Sequence, residues 1–561
     1  MSSEPEAEPR WAHLKGRNPY VLERRESGEP LSIVDEHDPS GRMVRSSAVV
    51  GLGTALSRLT GLGRTIALAY AVGGLALADG YNLANTTPNM VYDLLIGGIL
   101  SATLVPVFVD RFEHDDDEGV SAVVSVATAF LLAVTVVAVL AAPWIFKMFT
   151  WQDSPSQAAQ IESVGVPLLR FFLPQMLFYG LVAMGGAMLN ARRRFAAAAF
   201  VPVLNNVVVI GVLLLFASRA GTSPTIDEVV DDKGLLWLLG LGTTAGIVAM
   251  TLALWPAVRR AGIRLRWSPR WRNPAVRTVA KLSGWTFGYV LANQIALVVC
   301  LALAGGEADG GASWYTYAFI FFQLPYGLFA VSIMTTVTPE LASAITANDM
   351  PRFRDRFALG GRLMALVVLP SAVGLALLAR PVVNVLLGRG SFDAVAAAGT
   401  ADTLVWFAAG LFFFSFYLLA LRGFYAMHDT RTPFFINLGE NAINVALAFA
   451  LVGRYGVPGI AASFSAAYLV ASIVALIMLR RRVGGLGGRA LVSPIARMAL
   501  AAAAMAGVVT LVAHTVGAET GTAGVVRIVV AVGGGAVVYF GVALALGVED
   551  VRAATDRLLR R

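Results

Sequence analysis

Two arginines, Arg58 and Arg64, sit inside the stretch ALSRLTGLGRTIAL, which otherwise reads as apolar helix. An arginine offers a planar fork of N–H donors suited to phosphate or carboxylate, and it stays protonated; such a pair suits anion binding rather than proton transfer. Six residues apart, the two lie about 9 Å along a helix and about 120° around it, which suits a broad cavity rather than one narrow stripe. Ser57 precedes them, and Asp79, Asn85, Asn89 and Asp93 follow. A charge at mid-bilayer costs from about 2.5 to over 10 kcal/mol, so these groups should face a protein interior or water. Two arrangements stay open: an anion-contacting role, or internal pairing of the arginines with Asp79 and Asp93, with Arg64 also able to snorkel. Asp79 or Asp93 is the candidate for a response to protons or ions. Glu440, beside Asn437, Asn441 and Asn444, forms a second polar cluster, read as helix–helix hydrogen bonding or as an ion or gating site. Gln294 and Gln323 are read in the same way, while Lys147 and Arg170 lie near expected helix ends and should snorkel.

The elements that must hold these residues are long apolar helices. Of 561 residues, 57% are hydrophobic and only 14% charged, with mean hydropathy +0.68; soluble domains are nearer a quarter charged. Apolar runs of about 20 residues, the length that crosses a bilayer, recur from residue 46 to 547. Fourteen are expected: 46–72, 81–109, 119–149, 163–189, 200–218, 234–256, 282–304, 313–340, 363–379, 401–421, 433–453, 458–479, 498–516 and 522–547. The fold class is an all-α polytopic membrane protein. Residues 1–45 are polar, Pro-containing and mixed in charge, and read as a disordered tail without a signal-peptide apolar region. That tail is either dispensable or a docking segment for a partner.

Basic residues alternate with loop parity. Even-numbered loops carry Arg192–Arg194, the run from Arg259 to Lys281, Arg352–Arg362, Arg422 with Arg431, and Arg480–Arg497. Odd-numbered loops hold Arg219, Lys233, Arg380, Arg389 and Arg454. By the positive-inside rule both termini are cytoplasmic. The loop DRFEHDDDEG (110–119) dissents in being acidic, but acidic residues contribute little to orientation. The net charge of +8 is then loop charge near anionic headgroups, not a nucleic-acid surface, since the basic residues flank spans with no folded module between them.

Other chemistries find no support. Cys300 has no second thiol to pair with, and five scattered histidines give no metal-ligand spacing. The Gly-rich GLGTAL and GLGGR follow no strand, and neither a Walker motif nor a nucleophile–base arrangement is present. No cofactor is expected; a coupling cation or the membrane potential would supply the energy.

A long-range repeat is visible. Arginines in a short loop, a proline opening a helix and asparagine one turn later occur at Pro202 with Asn205/Asn206 and again at Pro433 with Asn437, 231 residues on. Two proline-bracketed helices close at Pro106 and Pro339, 233 residues apart. The interval equals six helices, so the copies share membrane orientation, as in transporters that place the substrate site between repeats.

The stretch SRLTGLGRT…ADGYNLANTTPNMVYDLLIGGILSATLVPVF resembles the opening of the MurJ (MviN) proteins, lipid II flippases of the MOP exporter superfamily. RRRFAAAAFVPVLNN, FQLPYGLFAVSIMTTVTPEL and FYAMHDTRTP resemble that family at matching places. The resemblance covers about 46–480 and leaves the tail outside. It implies two six-helix lobes around a central cavity, with helices 13 and 14 forming a groove for a lipid tail. The domains expected are a tail (1–45), first lobe (46–260), second lobe (261–482) and helices 13–14 with the C-terminus (483–561). By the same resemblance Ser57, Arg58, Arg64 and Asp79 handle substrate or gate. Asn89, Asp93 and Gln323 join them as substrate-binding candidates. The sequence departs from the pattern at Tyr92, Asp93, Ile96 and Gly97, where arginines and Glu-Gly are usual. It also departs at Phe319, Ile320 and Gln323, where an Asp-Arg pair and a Glu are usual, and at Thr65, where an Asp often follows the second arginine.

The expected function is flipping of lipid II across the bacterial cytoplasmic membrane by alternating access. Its partners would be lipid II and membrane lipids, with cell-wall synthesis proteins at the tail. Rivals are a polysaccharide flippase or cation-coupled drug exporter of the same superfamily, and a non-transporting cell-wall scaffold. The arginine pair speaks against a cationic-drug exporter. A membrane glycosyltransferase would need a large loop with convergent carboxylates.

Overall fold

The computed structural model describes residues 39–94, 104–221, 223–276, 284–515, 517 and 519–552. Contacts divide the chain into two compact units, Met1–Ser47 and Ala48–Arg561, and the lobes belong to the second. Helix α1 runs Pro39–Val72, so the last seven residues of the expected tail are helical; the rest of it lies outside the described residues.

Spans 2–6 are α2 (Ala76–Asp93) with α3 (Val105–Glu113), α4 (Asp117–Leu140) with α5 (Ala142–Thr150), α6 (Pro155–Phe172) with α7 (Gln175–Ala191), α8 (Phe195–Ala220) and, after the short α9 (Ile226–Asp231), α10 (Lys233–Arg260). Residues 95–103 of the expected second span are outside the described set. The second half brings α11 (Gly284–Glu307), α12 (Gly311–Pro325) continuing through a π-turn (Tyr326–Ala330) into α13 (Val331–Thr346), α14 (Met350–Leu377) with α15 (Ala379–Leu386), α16 (Ala394–Ala426), α17 (Arg431–Val483), α18 (Gly488–Thr515) and α19 (Gly521–Ala545). Eleven helices among the described residues are long and apolar enough to cross a membrane.

One of them, α17, has 53 residues, about 80 Å of helix against a core of about 30 Å. It turns at Gly456, whose φ of +62° is a left-handed conformation that costs other residues energy; Pro458 follows. The run therefore holds expected spans 11 and 12, and the fourteen spans are compatible with these helices.

Much of the apolar surface faces outward: Val537 is 74% exposed, Leu140 70% and Leu252 66%. In a bilayer that band meets acyl chains, and the helices satisfy their own backbone groups. Between helices, small residues let backbones approach. A Cβ on Gly410 of α16 would run into Ser465 of α17, whose hydroxyl bonds the Trp406 carbonyl at 2.6 Å. Phe319 lies in an aromatic cluster, 5.4 Å from Phe407 and 5.7 Å from Phe464 between ring centres. A packed aromatic core thus stands where the family pattern has a charged pair.

The acidic second loop has a structural reason. Glu118 pairs with Arg270 of the sixth loop, and Asp116 caps α4 through Gly119 N at 2.7 Å. Loops 2 and 6 therefore lie on the same side, as parity requires.

Replacing Gly410 by Leu should overpack the α16–α17 contact and cost about 1–3 kcal/mol. The expected outcome is a lower thermal unfolding midpoint of the detergent-purified protein, with Gly439→Leu, where an added Cβ meets nothing within 4 Å, as the neutral control.

Candidate functional site

Arg58 and Arg64 are half-buried on α1, which is anchored within the first lobe by Asn206 of α8. Its side-chain N–H donates to the Ser57 carbonyl at 3.1 Å and to the Thr60 hydroxyl at 3.0 Å. The two arginines diverge, as their spacing predicts. The Arg58 guanidinium reaches the second lobe and packs on Gly327 in the π-turn, where a Cβ would collide with it. Its Nε is buried without a hydrogen-bond partner. Arg64 stays with the first lobe, within electrostatic reach of the Tyr81 and Tyr179 hydroxyls. Among the described residues neither arginine forms an ion pair with a carboxylate.

Asp93 is exposed on α2, and across the lobes it accepts a long 3.5 Å hydrogen bond from Gln294. Asn89 is half-buried and donates to the Asn85 carbonyl of its own helix at 2.8 Å. Gln323 is exposed four residues before Gly327, hence on the same helix face. Of these groups, Asp93 is the one shown reaching across the lobes, through Gln294, as Arg58 does toward Gly327. Two residues there escaped the sequence reading. Tyr326 lies within electrostatic reach of both Arg58 and Arg422, so the fold brings a third cation from α16 toward the pair. Arg422 read as ordinary loop charge; its apolar i−3/i−4 neighbours, Leu418 and Leu419, were the available sign that it continues a helix.

Asp79 sits elsewhere. It is 0% exposed and accepts from Ser313 N at 2.7 Å and Gly310 N at 3.1 Å. A carboxylate from one lobe thus caps the first turn of α12 in the other, where orphan N–H groups and the helix dipole favour negative charge. Internal pairing of Asp79 with the arginines is not what the structure holds. Asn82 donates to the Ser313 hydroxyl at 2.9 Å, Trp314 Nε1 to Gly74 O at 2.8 Å, and the Tyr317 hydroxyl to Gly73 O at 3.1 Å. All these contacts lie at the odd-loop end. Asn82–Ser313 and Asp79–Gly310 each join positions 231 residues apart, the repeat interval, as contacts beside a twofold axis do.

The same seam continues outward. Gln157 donates to Asp309 at 2.8 Å, and Gly305 and Gly306 leave room for Asp153 and Gln152 of the other lobe. Burial, then the carboxylates of Asp309 and Glu162, push Asp153 up from an ordinary 3.8 to about 6.

Glu440 belongs to the second lobe's interior. It is 2% exposed and accepts from Asn437 at 3.4 Å. Asn437 and Asn441 both donate to Asn293 of α11, at 3.0 and 2.9 Å, and Ser463 donates to Asn444 at 2.9 Å. Asn437 thus ties span 11 to span 7 just as Asn206 ties span 5 to span 1.

Two helical lobes joined across their odd-loop ends, with Arg58 reaching from one to the other, have the architecture of a membrane transporter. The fold agrees: a solved inward-facing MATE transporter of the MOP superfamily aligns with TM-score 0.63 and 15% identity, over 79% of this chain and 99% of that one. The profile of the family Lipid II flippase MurJ matches residues 68–531, and the chain belongs to that family. It is similar to the probable lipid II flippase MurJ of Vibrio cholerae, 27% identical over 92% of this chain and 99% of that protein. It is also similar to that of Rhizobium meliloti, 30% identical over 83% and 85%. A solved structure titled lipid II flippase MurJ, inward closed conformation, aligns with TM-score 0.73 and 22% identity, covering 92% of this chain and all of that one.

Because Asp153 holds its proton more tightly where the lobes touch than it would in water, the sealed seam gains relative stability as pH falls from about 6 toward 4 and loses it as pH rises through that window. Inter-lobe distances from spin labels near residues 152 and 306 should show the sealed population growing on acidification. Asp153→Asn should flatten that dependence. Asp79→Asn, which leaves a weaker cap on the two N–H groups, should shift the same distances toward opening.

Proposed function

We propose that this protein carries lipid II, the lipid-linked peptidoglycan precursor, from the inner to the outer leaflet of the bacterial cytoplasmic membrane by alternating access, with both termini cytoplasmic. The observation that carries the reading is Arg58, which reaches across the lobes to Gly327 with its Nε buried and unpartnered and which, like Arg64, has no carboxylate partner among the described residues. A buried cationic donor without a protein partner is costly unless an anion arrives to take it. A pyrophosphate presents several acceptor oxygens to such forks, and these bonds are charge-assisted.

In this reading the odd-loop end is extracytoplasmic, so the conformation described is closed outward. Arg58 spans the lobes to Gly327, Arg64 draws on the Tyr81 and Tyr179 side, and Arg422 adds charge beside Tyr326. A pyrophosphate held among them pulls on both lobes at once, while the polyprenyl tail remains in lipid along the groove assigned to α18 and α19. Ser57, Asn89, Asp93 and Gln323 contribute polar contacts around the headgroup. Asp79 gates rather than binds, through its hold on α12. Glu440 braces the second lobe, and residues 1–45 remain a candidate docking segment for cell-wall synthesis proteins.

Arg58→Ala with Arg64→Ala, in cells that depend on this gene, should abolish growth while protein levels stay normal, and lipid II should accumulate in the inner leaflet. Normal growth with an unchanged leaflet distribution would remove the arginines from the mechanism. Gly327→Val should displace the Arg58 guanidinium and reduce transport by about tenfold or more, since one lost charge-assisted contact is worth about 1.5–3 kcal/mol. Leaflet-resolved lipid II measurements at matched expression check it.

A further inference from the structure

Residues of both arms of α17, toward the even-loop end, line a groove of about 520 Å³. Phe435, Val470, Val474 and Met478 line it, each between 38% and 50% exposed. Gly439 opens its floor, with nothing within 4 Å of a would-be Cβ. Arg431 and Arg482 stand at its mouth, one opening the first arm and the other near the end of the second. Arg482 is held in place: its Nη1 lies 2.6 Å from Asp429, its Nη2 donates to Thr432 at 3.3 Å, and its guanidinium lies 5.8 Å from the Phe424 ring centre. Arg431 is exposed and lies over Phe435, 5.7 Å from the ring centre. With one acid against two arginines, and Arg480 and Arg481 adjoining, the mouth is net cationic.

An apolar groove that opens sideways from membrane-spanning helices is filled by hydrocarbon, because water there would find no partners. A cationic mouth at the depth of the headgroups selects among lipids by charge, as basic pockets between spans do. We propose that this groove is a binding site for an anionic phospholipid of the leaflet facing the even-numbered loops, with the phosphate on Arg431 and Arg482 and an acyl chain lying between the arms of α17. The site is separate from the arginines of helix α1: neither Arg58 nor Gly327 lines the groove, and Glu440, among its lining residues, connects it with the polar interior of the second lobe. Occupancy of the site would follow membrane charge.

The test is native mass spectrometry of the purified full-length protein with phosphatidylglycerol, phosphatidylcholine or inorganic phosphate added. Phosphatidylglycerol should be retained in preference to phosphatidylcholine. Arg431→Gln should weaken that preference about fivefold, and inorganic phosphate should not compete. Gly439→Leu should reduce retention of both lipids by blocking the chain. Arg431 is exposed and Gly439 faces open space, so thermal unfolding in phosphatidylcholine micelles should be unchanged for both variants. Equal retention of the two lipids, unchanged retention in both variants, or full competition by phosphate would overturn the site. Preferential retention of lipid II at the groove would assign it to the transport substrate and overturn it as well. Lipid retention is read without transport, so its outcome is independent of the flippase assay.

Discussion

In hydrocarbon every polar group needs a partner, and the fold can be understood as the set of answers this chain gives to that demand. Backbone groups are answered by helices. Asn206 and Asn437 answer for the interiors of the two lobes by tying spans 5 and 11 to spans 1 and 7. Asp79 is answered by the N–H groups of Gly310 and Ser313 in the other lobe. Arg58 and Arg64 have no carboxylate partner among the described residues, and Arg58 leaves its Nε buried without a hydrogen bond. A chain whose interior were fully satisfied would have no reason to admit an anion.

The near-twofold arrangement makes this compact. Residues 231 apart meet across the axis at the odd-loop end, so a few hydrogen bonds close the whole seam. A carboxyl cap on a helix start is a contact that depends on geometry, with donor distances of 2.7 and 3.1 Å to hold. The seam is therefore suited to two discrete states, as alternating access requires. The acidic ring around it, with Asp153 held up near 6 by burial and by Asp309 and Glu162, makes closure sensitive to protons on that side.

Departures from the family pattern have structural counterparts. Where an Asp-Arg pair is usual on span 8, Phe319 stacks into a cluster with Phe407 and Phe464, which excludes a charge at that point. A cation from a different element comes near: Arg422, toward the end of α16, lies within electrostatic reach of Tyr326, as Arg58 does.

Much of this was legible in the chain itself. Apolar runs long enough for a bilayer, arginines alternating with loop parity and the 231-residue echo of Pro-x-x-Asn fix a two-lobed bundle, because hydrophobic length and charge placement are local properties. The divergence of Arg58 and Arg64 also follows from six residues of helix. What sequence left undecided is who meets whom across the lobes. Asp79 read equally well as a partner of the arginines, and only the fold gives it to the start of α12. Tyr326 and Arg422 carried no local signal of a shared site. The break of α17 at Gly456 falls between the expected spans 433–453 and 458–479, so its place was legible, while the left-handed φ that makes it came only from the fold. Such pairings depend on the relative placement of helices more than two hundred residues apart, and packing, not periodicity, decides that placement.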